Sequence, residues 1–322
     1  IFLSRFLHLL KKVITPVVTG TVVMLIGLSL VRVGITDMAG GKWLLDNKPQ
    51  FFGTVENLGL GVLVLLVVLI LNRSKSPMIR MGSIVGGILV GYLVALALGK
   101  VNFGHMSGVE MISIPIPFNY GFAFNWTAFI GVAFIYIITT IESTGDLTAT
   151  SMLSGEPVEG ETYMERIKGG VLGDGINSAI AAIFNTFPNT TFSQNNGVIQ
   201  MTGVASRFVG MYLAGFLVLL GLFPVIGGVF RSLPNPVLGG ATIIMFGAVA
   251  AAGVNIIASM GRLGRREMLI IAVSLGIGLG LAFVPEVLSQ TPKAIQQIFG
   301  SAITSGGLAA LILNMMLPQN ES

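Results

Sequence analysis

A polar stretch set between two long apolar segments constrains this chain more than any other feature. Residues Phe187 to Gly203 read Phe-Pro-Asn-Thr-Thr-Phe-Ser-Gln-Asn-Asn-Gly-Val-Ile-Gln-Met-Thr-Gly. In hydrocarbon, every backbone N–H and C=O must be paired, and irregular chain persists only inside protein or along a wet cavity. The stretch is therefore either a long external loop or a broken span that builds a binding site.

Composition puts the flanking segments in a membrane. Only 10% of the 322 residues are charged and 53% are hydrophobic, with a mean hydropathy of +0.86; soluble domains carry about 25% charged residues. The 43 glycines suit close contact between membrane helices. The fold class expected is an all-α polytopic membrane protein. The formal net charge of +4 then bears on topology and not on a nucleic-acid partner. The absence of cysteine removes disulfides, thiol nucleophiles and zinc–thiolate sites. His8 and His105 are far apart and near segment ends, which argues against a histidine metal site.

Ten apolar segments can be marked: Val13–Val33, Leu58–Leu71, Ile84–Leu98, Thr127–Ile141, Val171–Phe187, the broken Gln194–Gly203, Phe208–Phe230, Val237–Ile257, Met268–Val284 and Ala302–Leu317. Most approach the roughly 20 residues that a spanning helix needs. The second is short, and the sixth is too short to cross as a helix alone. With Lys11 and Lys12 inside and the sides alternating, twelve of the eighteen basic residues fall inside and six outside. That is the direction of the positive-inside rule. The tally requires Gln194–Gly203 to count as one crossing, with extended chain before it supplying the missing length. The broken span is thereby favoured over the loop.

An internal repeat points the same way. Thr15-Pro16-Val17-Val18-Thr19-Gly20, with Gly27, recurs as Asn235-Pro236-Val237-Leu238-Gly239-Gly240, with Gly247, at an offset of 220. Gly86-Gly87 and Gly306-Gly307 share that offset. Partners lie seven segments apart, so the two copies have opposite orientations. Inverted repeats mark secondary transporters, whose substrate sites lie near the midplane at discontinuous helices. Two seven-span repeats leave four spans unaccounted for, and we expect them before Ile1, where the chain is already apolar.

Three acidic residues fall within or at the edge of the segments: Glu142, Asp146 and Asp174. Ionisable groups there cost about 2.5–3.5 kcal/mol on insertion scales and are functional candidates. Glu142 and Asp146 are spaced i, i+4 and share a helix face, which Thr139 and Thr150 extend as a polar stripe. Asn177 and Ser178 lie close to Asp174. A buried carboxyl beside another titrates at raised pH, as proton coupling requires; the competing reading leaves these acids in water at helix ends. The run Glu156, Glu159, Glu161 and Glu165 reads as a solvated loop or short surface helix. In the polar stretch, Pro188 ends the preceding helix, residues 189–193 suit extended chain, and Gln194 begins a short helix whose free N–H groups face the break. Gln194 offers both donors and an acceptor, and an ionised Glu142 offers acceptors. Together they suit the rim of a flat heterocycle. Phe192 can stack on such a ring, but ordinary helix packing is the better reading of it.

Gln194-Asn195-Asn196-Gly197-Val198-Ile199-Gln200-Met201-Thr202-Gly203 resembles the signature of the nucleobase–ascorbate transporter family at every fixed position. Glu142-Ser143-Thr144-Gly145-Asp146 and Gly170-Val171-Leu172-Gly173-Asp174-Gly175 look like that family's eighth and ninth spans. The similarity covers essentially the whole chain and points to the bacterial xanthine permeases. It implies fourteen spans in two inverted seven-span repeats, with a broken tenth span preceded by a short β-strand. Residues 1–105 would be gate spans five to seven, 118–230 core spans eight to eleven, and 231–322 gate spans twelve to fourteen, with core spans one to four absent. The resemblance also implies an elevator motion of core against gate, a homodimer through the gate, and residence in the bacterial cytoplasmic membrane. By the same resemblance, Glu142 and Gln194 would bind the nucleobase, Ser193 would lie alongside, and Asn195 would tune specificity. Asp174 would serve proton coupling with Glu142, and Asp146 would support that site. Gln194 at the first signature position implies a purine.

The function expected is proton-coupled uptake of a purine nucleobase, xanthine first, in contact with membrane lipid and with no cofactor. A uracil or urate permease of the same family is the nearest alternative. An intramembrane enzyme using an acid pair is the rival from another class; without cysteine, a histidine cluster or a Gly-x-Ser-x-Gly motif it lacks a nucleophile and a metal set.

Overall fold

The computed structural model describes residues 15–318 except 107, 158–159, 193–194, 196–198, 200–203 and 259. Among the described residues the regular structure is helical, without a strand. In chain order the helices are α1 (Pro16–Met38), α2 (Lys42–Asn47), α3 (Val55–Asn72), α4 (Pro77–Met81), α5 (Ser83–Ala97), α6 (Trp126–Leu153) and α7 (Gly160–Ile183). They continue as α8 (Arg207–Gly221), α9 (Pro224–Arg231), α10 (Asn235–Ala258), α11 (Arg265–Phe283), α12 (Lys293–Phe299) and α13 (Ala302–Met316). By length and composition α1, α3, α10 and α11 can each cross a membrane.

Several helices outrun the apolar segments that announce them, because caps set helix ends. α3 starts three residues before Leu58, where the Thr54 side chain accepts from the Asn57 N–H at 3.4 Å and Glu56 sits in the first turn. At 18 residues it is long enough to span, contrary to its apolar core. α7 begins at Gly160, so Glu161 and Glu165 lie on a long helix and not on a separate surface piece. Glu156 precedes that helix and pairs with Arg166 at 2.7 Å; Glu159 lies outside the described residues. The longer helices also bring Asp37, Glu56 and Glu267 into terminal turns, so the acids within helical segments number more than the three that hydropathy marks.

The segment Phe208–Phe230 is not one helix. α8 and α9 meet at a bend of 82°. Pro224 opens α9, where its missing N–H costs nothing, and it forces Phe223 out of the helical region. Pro188 does not end α7 either. Asn185 adopts the left-handed conformation at φ 62°. The Thr186 N–H then donates to the Ala181 carbonyl at 3.0 Å and the Asn185 N–H to the Ala182 carbonyl at 3.1 Å. This is a Schellman cap, complete before the proline is reached.

The helices form two compact units. The first is drawn from Ile1–Ser29, Ile116–Gly197 and Ala248–Ser322. Its core gathers Val17, Val18, Ile270, Ala310 and Leu311. α11 and α13 cross closely at glycines: a Cβ on Gly278 would lie 2.7 Å from the Ala302 carbonyl oxygen and 3.1 Å from Gly306 Cα, the close approach that small residues permit. Arg266 closes the end of α13 by donating to the carbonyls of Asn314 (2.7 Å) and Leu317 (3.2 Å).

The second unit is drawn from Leu30–Pro115 and Val198–Gly247. Leu60, Val64, Val68, Ala95, Val237 and Ala241 form its core. A Cβ on Gly240 would lie 2.3 Å from the Gly61 carbonyl oxygen, so α10 and α3 touch through backbone. Asn57 ties the loops at one end: its amide donates to the carbonyls of Ala39 and Phe51, both at 3.3 Å, and its oxygen accepts from Lys100 at 3.2 Å. Tyr92 on α5 pairs with the buried Ser232 hydroxyl after α9 at 3.2 Å.

Asn185 also holds the chain that leads into α6. Its amide donates to the Ile116 carbonyl at 2.7 Å and accepts from the Tyr120 N–H at 3.4 Å, and Phe118 N–H donates to the Ile183 carbonyl at 2.8 Å. Asn185→Gly keeps the left-handed turn and loses the two side-chain bonds, worth about 0.5–1.5 kcal/mol each. Asn185→Ala loses the bonds and adds about 1–2 kcal/mol of backbone strain. The melting temperature of the detergent-purified protein is expected to fall for both and further for the alanine variant; equal falls would contradict the cap.

Candidate functional site

The site is built on α6 and α7, which run side by side in the first unit. α6 carries a ladder of hydroxyls. Thr140, Thr144 and Thr148 each donate to the carbonyl four residues back, at 2.6, 2.7 and 2.6 Å. Donors satisfied within the helix let a polar stripe survive in an apolar setting. Thr139 donates to the Tyr136 carbonyl at 3.2 Å and Thr150 to the Asp146 carbonyl at 2.8 Å. The Thr148 hydroxyl also meets Tyr163 of α7 at 2.8 Å, below which Ile167 and Val171 form a small apolar core with Leu147.

Above that core, Asp174 and Asp146 each receive a hydroxyl. Ser143, fully buried, donates to Asp174 Oδ2 at 3.2 Å and so joins α6 to α7. Thr191 donates to Asp146 Oδ2 at 2.5 Å. The polar stretch is thus brought to α6 by its own side chain. It is brought to α7 by Ser178, whose hydroxyl donates to the Asn189 carbonyl at 2.9 Å and accepts from the Asn189 N–H at 3.1 Å.

Residues 188–192 form no strand. A strand exists through its ladder partner, and the main-chain groups of Asn189 are taken by the Ser178 hydroxyl instead. Phe192 follows, 53% exposed. Asn195 is helical and exposed, and its N–H donates to the Phe192 carbonyl at 2.9 Å. Glu142 lies on α6 one turn before Asp146. Ser193 and Gln194 lie outside the described residues.

Of the residues expected at the site, the structure brings together Asp146, Asp174 and the start of the polar stretch. It adds Ser143, Asn189 and Thr191, which sequence reasoning passed over, and it gives Ser178 a role. The signal for Ser178 is its spacing, i+4 from Asp174 and on the same face of α7. Ser143 and Thr191 give no such signal, because a lone hydroxyl beside an acid is common. The arrangement has two hydroxyl–carboxylate pairs, Ser143 with Asp174 and Thr191 with Asp146, and an exposed aromatic ring at Phe192.

Comparison with known proteins decides the family. The family model described as Permease family (Xan_ur_permease) matches residues 1–287. The chain belongs to this permease family, the nucleobase–ascorbate transporters. It is 50% identical over 315 residues to xanthine permease XanQ of Escherichia coli (strain K12), covering 98% of this chain and 67% of that protein. Identity to xanthine permease XanP of the same strain is 45% over 320 residues, covering 99% of this chain and 68% of that one. To uric acid permease PucJ of Bacillus subtilis (strain 168) it is 36% over 313 residues, covering 97% and 69%. The chain therefore spans about two thirds of the length of these relatives. It is a multi-pass protein of the bacterial inner membrane and a permease, not an enzyme.

The Asp146–Thr191 bond is open to a double-mutant test. Asp146→Ala and Thr191→Val each remove it, at about 1–3 kcal/mol for the partner left unpaired. Each single variant is expected to lower the melting temperature in detergent, and the double variant to be no worse than the worse single one. Additive losses would show that the two side chains do not interact.

Proposed function

We propose that this permease takes up a purine nucleobase, xanthine first, across the cytoplasmic membrane together with a proton. The observation that carries this reading is the identity of 50% and 45% to two proteins named as xanthine permeases, sustained over 98% and 99% of the chain. The site chemistry supports it. A purine dione presents ring N–H donors and carbonyl acceptors on one flat rim. Glu142 would accept from the ring N–H groups, Gln194 would pair with the opposite edge beside Ser193, Phe192 would stack on the ring, and Asn195 would set specificity. Each proton moved inward with the substrate draws on the membrane potential, about 2.3 kcal/mol per 100 mV. Glu142 and Asp174 would carry that coupling, with Asp146 holding the site through Thr191.

The architecture proposed is the fourteen-span inverted repeat, with residues 1–105 and 231–322 in a gate domain and 118–230 in a core domain that moves against it. Two helix pairs of like construction support the repeat: α3 with α5, and α11 with α13, each a long span packed along a shorter apolar helix. Dimerisation would use the gate. Urate is the second substrate reading, favoured by the 36% identity to a uric acid permease.

Uptake of radiolabelled xanthine by cells carrying the protein tests this. Uptake is expected to collapse with a protonophore and with Glu142→Ala, and to be competed by unlabelled xanthine more strongly than by urate or uracil. Uptake that ignores both the protonophore and Glu142→Ala contradicts the mechanism; stronger competition by urate makes urate the substrate.

A further inference from the structure

We propose that Ser178 is a positioning residue that sets the register of the substrate-facing segment, an inference that rests on the transport reading for its kinetic consequence alone. Ser178 is 3% exposed, lies four residues after Asp174 on α7, and bonds both main-chain groups of Asn189 through one oxygen. In extended chain the N–H and C=O of one residue point to the same edge, which is how a strand residue meets its ladder partner. The Ser178 hydroxyl occupies that partner's place for one residue. A shift of the segment by one position would break both bonds at once, so the contact fixes register as well as distance. A hydroxyl suits the task because it donates and accepts at a single atom.

The second anchor is two residues on. Thr191 bonds Asp146 through its side chain, so the segment is held by its main-chain edge at Asn189 and by a side chain at Thr191, one anchor on each of the two helices. The polar contacts close into a ring. Ser143 bonds Asp174; Asp174 and Ser178 are one turn apart on α7; Ser178 bonds Asn189; Thr191 bonds Asp146; and Asp146 and Ser143 are one turn apart on α6. Asp146 is bonded to the segment directly, and Asp174 lies one turn before the residue that anchors it. The position of Phe192, and through its carbonyl that of the Asn195 N–H at 2.9 Å, follows from this ring. Among the described residues of the segment, the Ser178 hydroxyl bonds Asn189 alone, so it acts on substrate through placement.

These 322 residues contain no cysteine, so in this chain a single cysteine in place of the exposed Thr190, between the two anchors, reports on the segment. In membranes, Thr190→Cys with Ser178→Ala is expected to react with N-ethylmaleimide roughly fivefold faster than Thr190→Cys by itself, since two bonds that hold the neighbouring residue are gone. Ser178→Thr keeps the hydroxyl and is expected to restore the slower rate. In uptake assays at matched membrane abundance, Ser178→Ala is expected to raise the KM for xanthine roughly tenfold with Vmax within about twofold, and Ser178→Thr to reverse most of that. Unchanged alkylation and KM in Ser178→Ala overturn the proposal, and so does a threonine variant as impaired as the alanine one. Loss of the alanine variant from the membrane while the threonine variant remains makes Ser178 a folding residue and also overturns it. A wild-type protein that takes up no nucleobase sinks the transport reading, and the alkylation rates then decide the role of Ser178 by themselves.

Discussion

Pairing the main-chain groups of an irregular segment inside a membrane protein is the requirement on which the rest of this structure depends. A helix meets it internally, but residues 186–192 have no helix and no ladder. Their groups are met one at a time. The Schellman cap absorbs the N–H groups of Asn185 and Thr186, the Ser178 hydroxyl takes both groups of Asn189, and Asp146 fixes Thr191. Each of these partners sits on α6 or α7, or at the end of α7. The two helices therefore both carry the carboxylates and complete the break, and a change in their packing would move the site as a whole.

That packing combines a small apolar core of Ile167, Val171 and Leu147 with hydroxyls bonded inside α6. α6 is 28 residues long and keeps its threonines bonded to its own carbonyls, so it offers a polar stripe without demanding partners from its neighbours. Elsewhere the helices touch through glycine, as α11 does with α13 and α3 with α10. In lipid the hydrophobic effect does little to press helices together, and close backbone approach with dispersion contact takes its place.

Much of this was legible in the sequence, and the losses have identifiable physical causes. The membrane class, the apolar segments and the acids Asp146 and Asp174 followed from composition and spacing. Helix ends did not, because hydropathy sees side chains while Thr54, Asn185 and Pro224 set the ends through the backbone. The strand expected before the break is not formed by residues 188–192: β-propensity there describes an extended chain, a strand requires a partner, and Asn189 is paired by a side chain. Single hydroxyls escaped notice as well. Ser143 and Thr191 become meaningful only when folding places them against Asp174 and Asp146. The signature beginning at Gln194 was the most specific motif in the chain, and it pointed to the family that the comparisons established.

The central claim is that the break after α7 forms a purine site. Ligand binding to the folded state raises the melting temperature in proportion to the logarithm of ligand concentration over Kd. The most direct measurement is the melting temperature of the purified protein titrated with xanthine, beside the same titration of Gln194→Ala. The account predicts a rise for the wild-type protein that grows logarithmically with xanthine and is absent in the variant. No rise with xanthine, or an equal rise in Gln194→Ala, would contradict it.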